Sequence, residues 1–357
     1  CEPQTSHCFT YGNQVITQTD SYRYLGLNLQ YNLDTGKSVD ILANASSRAL
    51  ASISSKFFSI DGLDYNSFKA MYDAVVQPVM NYGAAVWGLK KYDKCQTIQN
   101  RAMRTFLGVG KTTPIASIIS DMGWTPTHIM QKIDAIRYWL RLSRLSENRL
   151  LFKIFTFEKE TAYKGSHGNV IEMILTKAGM RHIWESATGN TQNDKKVLKH
   201  KIIHKLEMSE FVSDLKTEIH AMSRLHFYKD FHQNTSTEPY VQLLRNRWQR
   251  SLVAKARMGT LPIKVETGRY RGIPRQSRTC TNCDSGEVED EAHLLLHCEK
   301  YKDCRRNFYE HVFNDSCDIN RNSDDCKILN HILANNDVNV IQATAKYLCD
   351  IMHFRAP

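Results

Sequence analysis

The chain has 357 residues, 47 Lys and Arg against 37 Asp and Glu, and a formal net charge of +10. That length can bury two or three cores, and a basic pI of ≈ 9.0 favours an anionic polymer over an acidic protein as partner. The most apolar run, residues 74–86, is broken by Gln77, Pro78 and Asn81, so it cannot span a bilayer. The sequence opens at Cys1 with no initiator Met and no apolar leader, which reads as an internal piece of a longer polyprotein. Its ten cysteines are scattered except for a metal-type cluster near the C-terminus, which points to an intracellular, reducing compartment, nucleus or cytoplasm.

Residues 8–31 read as strands: a Gly-Asn turn sits between β-prone residues, and YRYLGLNLQY alternates at period two. From Ser38 the period becomes helical, with Ile41, Ala45, Ala49, Ile53 and Phe57 on one stripe. A second helix opens at Asp64 as N-cap and carries Phe68, Met71, Tyr72, Val75, Val76 and Val79 inward, with Pro78 kinking or ending it. A third starts near Asp93, buries Cys95, Ile98, Ala102, Met103 and Phe106, and stops at Gly108. Arg101 and Arg104 lie on its other face, with Lys111 just beyond. A fourth helix, residues 127–145, packs Ile129, Ile133, Ile136 and Leu140. Residues 161–194 look like loops or a linker around KGSHGN and ATGNTQND. A basic amphipathic helix over residues 195–206, a hinge over 232–239, a polar loop over 315–326 and a last helix through Val338, Ile341, Ala345, Leu348 and Met352 complete the chain.

The densest chemistry lies in residues 245–304. Cys280 and Cys283 are separated by two residues, and His293 and Cys298 by four. Three thiolates and one imidazole make a closed tetrahedral set for structural Zn²⁺, with Cys-x-x-Cys on one turn and the other pair on a short helix. His297 and Cys304 are rival ligands. Upstream, residues 245–278 hold ten Lys or Arg against Glu266 alone, a net of +9. Arg245, Arg247, Arg250, Arg269, Arg271, Arg275 and Arg278, with Tyr270 and Trp248 interleaved, read as a nucleic-acid contact surface. Tyr270 is the expected stacking residue for an unpaired base. Asp324-Asp325, the one Asp-Asp pair, reads as solvated loop.

These segments resemble the C-terminal part of the reverse transcriptase of non-LTR (LINE-type) retrotransposons. YRYLGLNLQ resembles the end of that family's palm, AMYDAVVQPVMNYGAAVWG and IQNRAMRTFLGV its helical thumb, and GRYRGIPRQSRTCTNC with VEDEAHLLLHCEKYKDCR its Cys-Cys-His-Cys zinc element. Residues 162–238 carry no matching motif. The resemblance implies a mainly α fold with a small β remnant. Its expected parts are the end of the palm (1–36), the thumb (37–125), a helical connector (126–238), the basic strip and zinc module (239–315), and a terminal loop and helix (316–357). It implies a primer-grip role for Tyr24, Leu25 and Gly26, and backbone tracking by Arg101, Arg104 and Lys111. The partners implied are template RNA, primer or target DNA, with no membrane and no small-molecule substrate. Two other readings are a host-derived zinc-dependent nucleic-acid-binding module and a zinc-dependent protein–protein adaptor. The family's aromatic-x-Asp-Asp catalytic turn would lie upstream of Cys1, because polymerase chemistry needs carboxylates that clamp two divalent cations. The chain alone is therefore expected to add no nucleotides to a primer on an RNA template with Mg²⁺. Extension activity that follows the chain through purification would contradict this.

Overall fold

The computed structural model describes residues 8–161, 163–186, 194–231, 236–313 and 323–355. Helices dominate, and the strands form two separate two-stranded antiparallel sheets. Phe9–Tyr11 pairs with Gln14–Ile16, and Ser21–Tyr24 with Leu27–Gln30 in the register Tyr24↔Leu27. That register leaves a two-residue turn, Leu25-Gly26, with both residues at positive φ (46° and 87°), the turn that matches strand twist. The chain divides into two compact units, each discontinuous in sequence: residues 1–50, 74–98 and 127–203, and residues 51–73, 99–126 and 204–357.

In the first unit the Thr127–Leu142 helix is the central post. It buries Ile129, Ile133, Ile136, Trp139 and Leu140, and stacks Trp139 on Trp184 with centroids 4.3 Å apart. Gly88 ends the short Ala84–Trp87 helix against this post: a Cβ there would lie 2.6 Å from the Gln131 carbonyl oxygen, so a side chain would force the two apart. Residues 166–177, expected as part of a loop region, are helical. Ser166 is an N-cap, its hydroxyl accepting from the Asn169 amide, and the His167–Lys177 helix follows. The ATGNTQND stretch lies outside the described residues up to Gln192 and Asn193, and Asp194 opens the Asp194–Glu207 helix.

Two helical stripes depart from their expected phase for a geometric reason. In Gly36–Ser59 the buried positions are Ser38, Val39, Leu42, Ala43, Ser46, Leu50, Ile53 and Phe57, whereas Ile41 is exposed. A strict four-residue repeat drifts by about 40° per step on a 3.6-residue helix, so it cannot keep one face. After Asp64, which caps Tyr65–Met71 as expected, residues Tyr72–Val76 form a π-helical turn. The wider turn puts Phe68, Tyr72, Val76 and Met80 inward and turns Val75 out. Pro78 then falls in the first turn of Gln77–Met80, where its missing donor costs little.

The second unit is organised by a buried ion pair. Asp121, on the Ile115–Met122 helix, receives both Arg257 Nε and Nη2 at 3.0 Å, and the hydroxyls of Tyr228 (2.6 Å) and Tyr240 (2.7 Å). Arg257 also meets Glu238 at 3.1 Å and donates to the Leu333 carbonyl. Burial works against the Arg257 charge, but Asp121 and then Glu238 overcome it and raise its pKa. Burial and the Asp121 charge push both tyrosine hydroxyls well above their ordinary range. Asp324 and Asp325 face solvent as expected but belong to a helix start rather than a loop: Asp324 caps the Asp325–Leu333 helix through the Cys326 amide, and Asp325 binds His297. In the last helix, Val338–Arg355, the buried face is Val340, Ile341, Thr344, Ala345, Tyr347, Leu348 and Ile351, while Val338 is exposed.

Replacing Arg257 by Met would leave two carboxylates facing each other without a cation. Urea unfolding should show a loss of about 3–5 kcal/mol for Arg257→Met. A loss below about 1 kcal/mol would mean that the pair does not hold this unit together.

Candidate metal centre and basic groove

Residues 278–289 form a small hairpin, with Thr279 bridged to Val288, the Cys280 amide donating to the Glu287 carbonyl (2.8 Å) and the Glu289 amide to that of Arg278 (2.9 Å). Cys280 and Cys283 sit where it turns, and the Asn282 amide points at Cys280 Sγ. Asp290 then accepts from the His293 amide and opens the His293–His297 π-helical turn. The Cys298 amide returns to the His293 carbonyl at 2.7 Å, so the last two ligands share one tight turn.

The four donor atoms lie within 4.8 Å of one another. Cys280 Sγ is 4.0 Å from Cys298 Sγ, and Cys283 Sγ is 3.4 Å from His293 Nε2. A tetrahedral Zn²⁺ with ordinary Zn–S and Zn–N bonds separates its donors by about 3.6–3.8 Å, so the cage is the right size. Burial pushes the Cys298 thiol up to about 12 and raises Cys280, while the Ser285 hydroxyl helps hold Cys283 down at about 6. A bound dication compensates the buried thiolate charge that water cannot reach. Glu287 accepts from His293 Nδ1 at 2.8 Å, which leaves Nε2 to face the thiolates. His297 is exposed and bound to Asp325 at 2.7 Å, and Cys304 lies on the Lys302–Val312 helix outside the cage, so neither rival is a ligand. The set is a structural Zn²⁺ site with four protein ligands and no position left for a reacting water.

The basic strip is not the continuous charged surface its sequence implies. Arg250 is wholly buried and contradicts its expected place in the nucleic-acid contact set. It donates to the carbonyls of Phe106 (3.0 Å), Leu244 (2.7 Å) and Arg245 (3.3 Å) and lies over the Phe106 ring. Burial lowers its pKa to about 10. Arg257 is equally buried in the Asp121 network. Arg278 donates to the carbonyls of Ile273 and Val265, Arg275 pairs with Asp290 at 2.8 Å, and Arg269 meets Glu266 at 3.5 Å. Arg269, Arg275 and Arg278 line a cavity of about 450 Å³ with Ser223 and His226, whose pKa burial and Arg275 lower. Tyr270 keeps an exposed ring, but its hydroxyl is bound to Glu266 and Thr112. Arg245 and Arg271 are exposed and line neither this cavity nor the groove described next. Tyr24, Leu25 and Gly26 occupy the tip of their hairpin, with the Leu25 carbonyl accepting from the Tyr82 hydroxyl.

A different set of cations converges. Arg101 and Arg104 from the Asp93–Leu107 helix, Lys111 from the following loop, and Arg247 and Lys255 from the Arg247–Arg257 helix line one groove of about 500 Å³. Gly108 (φ +68°) stops the first helix where a Cβ would lie 2.8 Å from Ser251 Cβ, and Ser251 Oγ bonds the Gly108 carbonyl at 2.7 Å. This close approach brings the two basic segments together. Asp61 is the one carboxylate among the described lining residues, 3.9 Å from Arg247, so the groove carries +4. Burial lowers the pKa of both Arg104 and Lys255. In the sequence Lys255 counts only as one charge of the strip, and Trp248 only as an aromatic interleaved in its surface. Their seven-residue spacing on one helix face was the available signal. Glu287, six residues before His293, left no such signal.

No family model, curated protein or solved structure matches this chain. Purified protein is expected to carry about one Zn²⁺ per chain, lost in Cys283→Ser and retained in Cys304→Ser and His297→Ala, as read by metal analysis. Glu287→Gln should weaken zinc affinity by about 10- to 100-fold in a chelator competition. Equal zinc loading in wild type and Cys283→Ser would overturn the assignment.

Proposed function

We propose that this chain grips nucleic acid as the C-terminal part of an RNA-directed DNA polymerase of the non-LTR retrotransposon kind, without the catalytic carboxylates. The observation that carries the nucleic-acid reading is the meeting of Arg101, Arg104, Lys111, Arg247 and Lys255, from segments more than 130 positions apart in the sequence, in one groove. Such a concave line of cations suits a phosphate backbone, whose binding is driven by release of condensed counterions. The segment just before the zinc hairpin is tied to the groove's edge: the Tyr270 hydroxyl joins Glu266 to Thr112, next to Lys111. No helix among the described residues is long and apolar enough to cross a membrane.

The polymerase ancestry rests on the sequence resemblance. Tyr24, Leu25 and Gly26, the proposed primer grip, are exposed at their hairpin tip, which suits contact with a strand end. A zinc-dependent protein adaptor is the competing reading, and salt separates the two.

If the five groove cations each neutralise a phosphate, log affinity should fall against log salt with a slope of about −3.5 for a single strand and −4.5 for duplex. The variant Arg101→Ala, Lys111→Ala, Arg247→Ala should flatten that slope by about two to three units. An unchanged slope and affinity in the triple variant would move the contact surface away from the groove. No binding by wild type at moderate salt would favour the adaptor.

A further inference from the structure

Five tryptophans occur in the chain, and Trp87, Trp124, Trp139 and Trp184 are all buried. Trp248 is 55% exposed. It lies in the basic groove, on the side of the Arg247–Arg257 helix opposite the buried Arg250 and Arg257. Leaving so large an apolar ring in water is unfavourable by the usual area argument, so its position calls for a ligand.

We infer that the groove seats an unpaired base on the indole of Trp248 while its cations hold the flanking phosphates, which makes the site selective for single-stranded nucleic acid. This rests on the nucleic-acid reading of the groove and adds to it the state of the strand. The charge beside the ring favours a base over an apolar protein side chain. The Lys255 ammonium stands 5.8 Å from the ring centroid, and Arg247, one residue before Trp248 on the same helix, lines the same groove. An apolar partner would have to strip water from those cations and return nothing to them, whereas a nucleotide brings a flat π-face together with a phosphate. The groove's other exposed aromatic, Phe58, is the smaller ring and has the Arg247 guanidinium closer over its face, at 5.0 Å against 5.8 Å for Lys255 over Trp248, so Trp248 is the ring better placed to accept a base. The depressed pKa values of Lys255 and Arg104 fit cations that gain from an incoming phosphate. In duplex DNA or RNA the base faces are already stacked on one another, so only the phosphate contacts remain for it.

The test compares affinities of the full chain for a 12-nucleotide oligouridine, an abasic strand of the same length and a blunt 12-base-pair duplex at one salt concentration. Trp248→Ala should weaken oligouridine binding on the order of 5- to 150-fold and leave duplex and abasic binding within about twofold. The salt slope should not change, because stacking releases no counterions. Trp248→Phe should recover most of the loss. Zinc content and far-UV circular dichroism confirm that each variant is folded. Equal weakening on all three ligands, or none on oligouridine, overturns the stacking site. If the groove triple variant still reduces binding in that case, only the strand preference fails. If the triple variant binds all three ligands like wild type, the nucleic-acid reading of the groove fails with it.

Discussion

Asp121 is a carboxylate with no access to water, and the second unit is arranged around keeping it satisfied. Burying such a charge costs several kcal/mol unless a cation and further donors meet it in good geometry. Here Arg257 meets it with two parallel N–H···O bonds and two tyrosine hydroxyls complete the shell, drawing together residues from 115–122, 228, 240 and 257. The same guanidinium holds the C-terminal end of the Asp325–Leu333 helix through the Leu333 carbonyl. The pair also fixes the rotation of the Arg247–Arg257 helix. Arg250 and Arg257, seven residues apart, both point inward. Trp248 and Lys255, with the same spacing, lie about 160° around the helix from them. One helix thus commits two cations to its own core and offers two more, Arg247 and Lys255, with an aromatic ring, to the groove.

The zinc hairpin faces a different constraint. It is too small to bury a core of its own, and its ligands replace one. Its connection to the rest of the unit is again an arginine–carboxylate fork. Glu289, wholly buried, accepts from Arg355 Nη1 (2.6 Å) and Nη2 (2.8 Å) at the end of the last helix, and from the Lys264 amide. Burial opposes the Glu289 charge, and Arg355 overcomes it, leaving its pKa lowered. The Tyr347 hydroxyl holds the Leu295 carbonyl beside the ligand turn. The final helix is therefore the post on which the metal module is mounted, with its Arg355 in the role of anchor.

Much of this was legible from residue order where the controlling physics is local. The Asp64 cap, the stop at Gly108, the Gly-Asn hairpin and the four zinc ligands all depend on residues a few positions apart, whereas the turn at Leu25-Gly26 was hidden inside a stretch that alternates like a single strand. The ambiguity between Cys298, His297 and Cys304 was not local, because Asp325, distant in sequence, removes His297 by bonding it. Phase errors came from geometry finer than a period count: the 3.6-residue drift left Ile41 outside, and the π-helical turn at residues 72–76 turned Val75 outward. The larger misreading concerned charge. An arginine written in a basic run gives no sign of whether it will meet water or a buried carbonyl, so Arg250 was placed on the contact surface while it serves the core. Arg101, Arg104 and Lys111 looked like a separate patch until Ser251 met Gly108 and joined them to Arg247 and Lys255.

The central claim is that this joined groove, rather than the arginine strip before the zinc ligands, receives nucleic acid. Photo-crosslinking of a 4-thiouridine-containing RNA to the zinc-loaded chain, followed by peptide mapping, addresses it directly. The account predicts crosslinks in residues 101–111 and 245–255, concentrated at Trp248. Crosslinks confined to residues 269–278, or to the basic helix at 195–206, would contradict it.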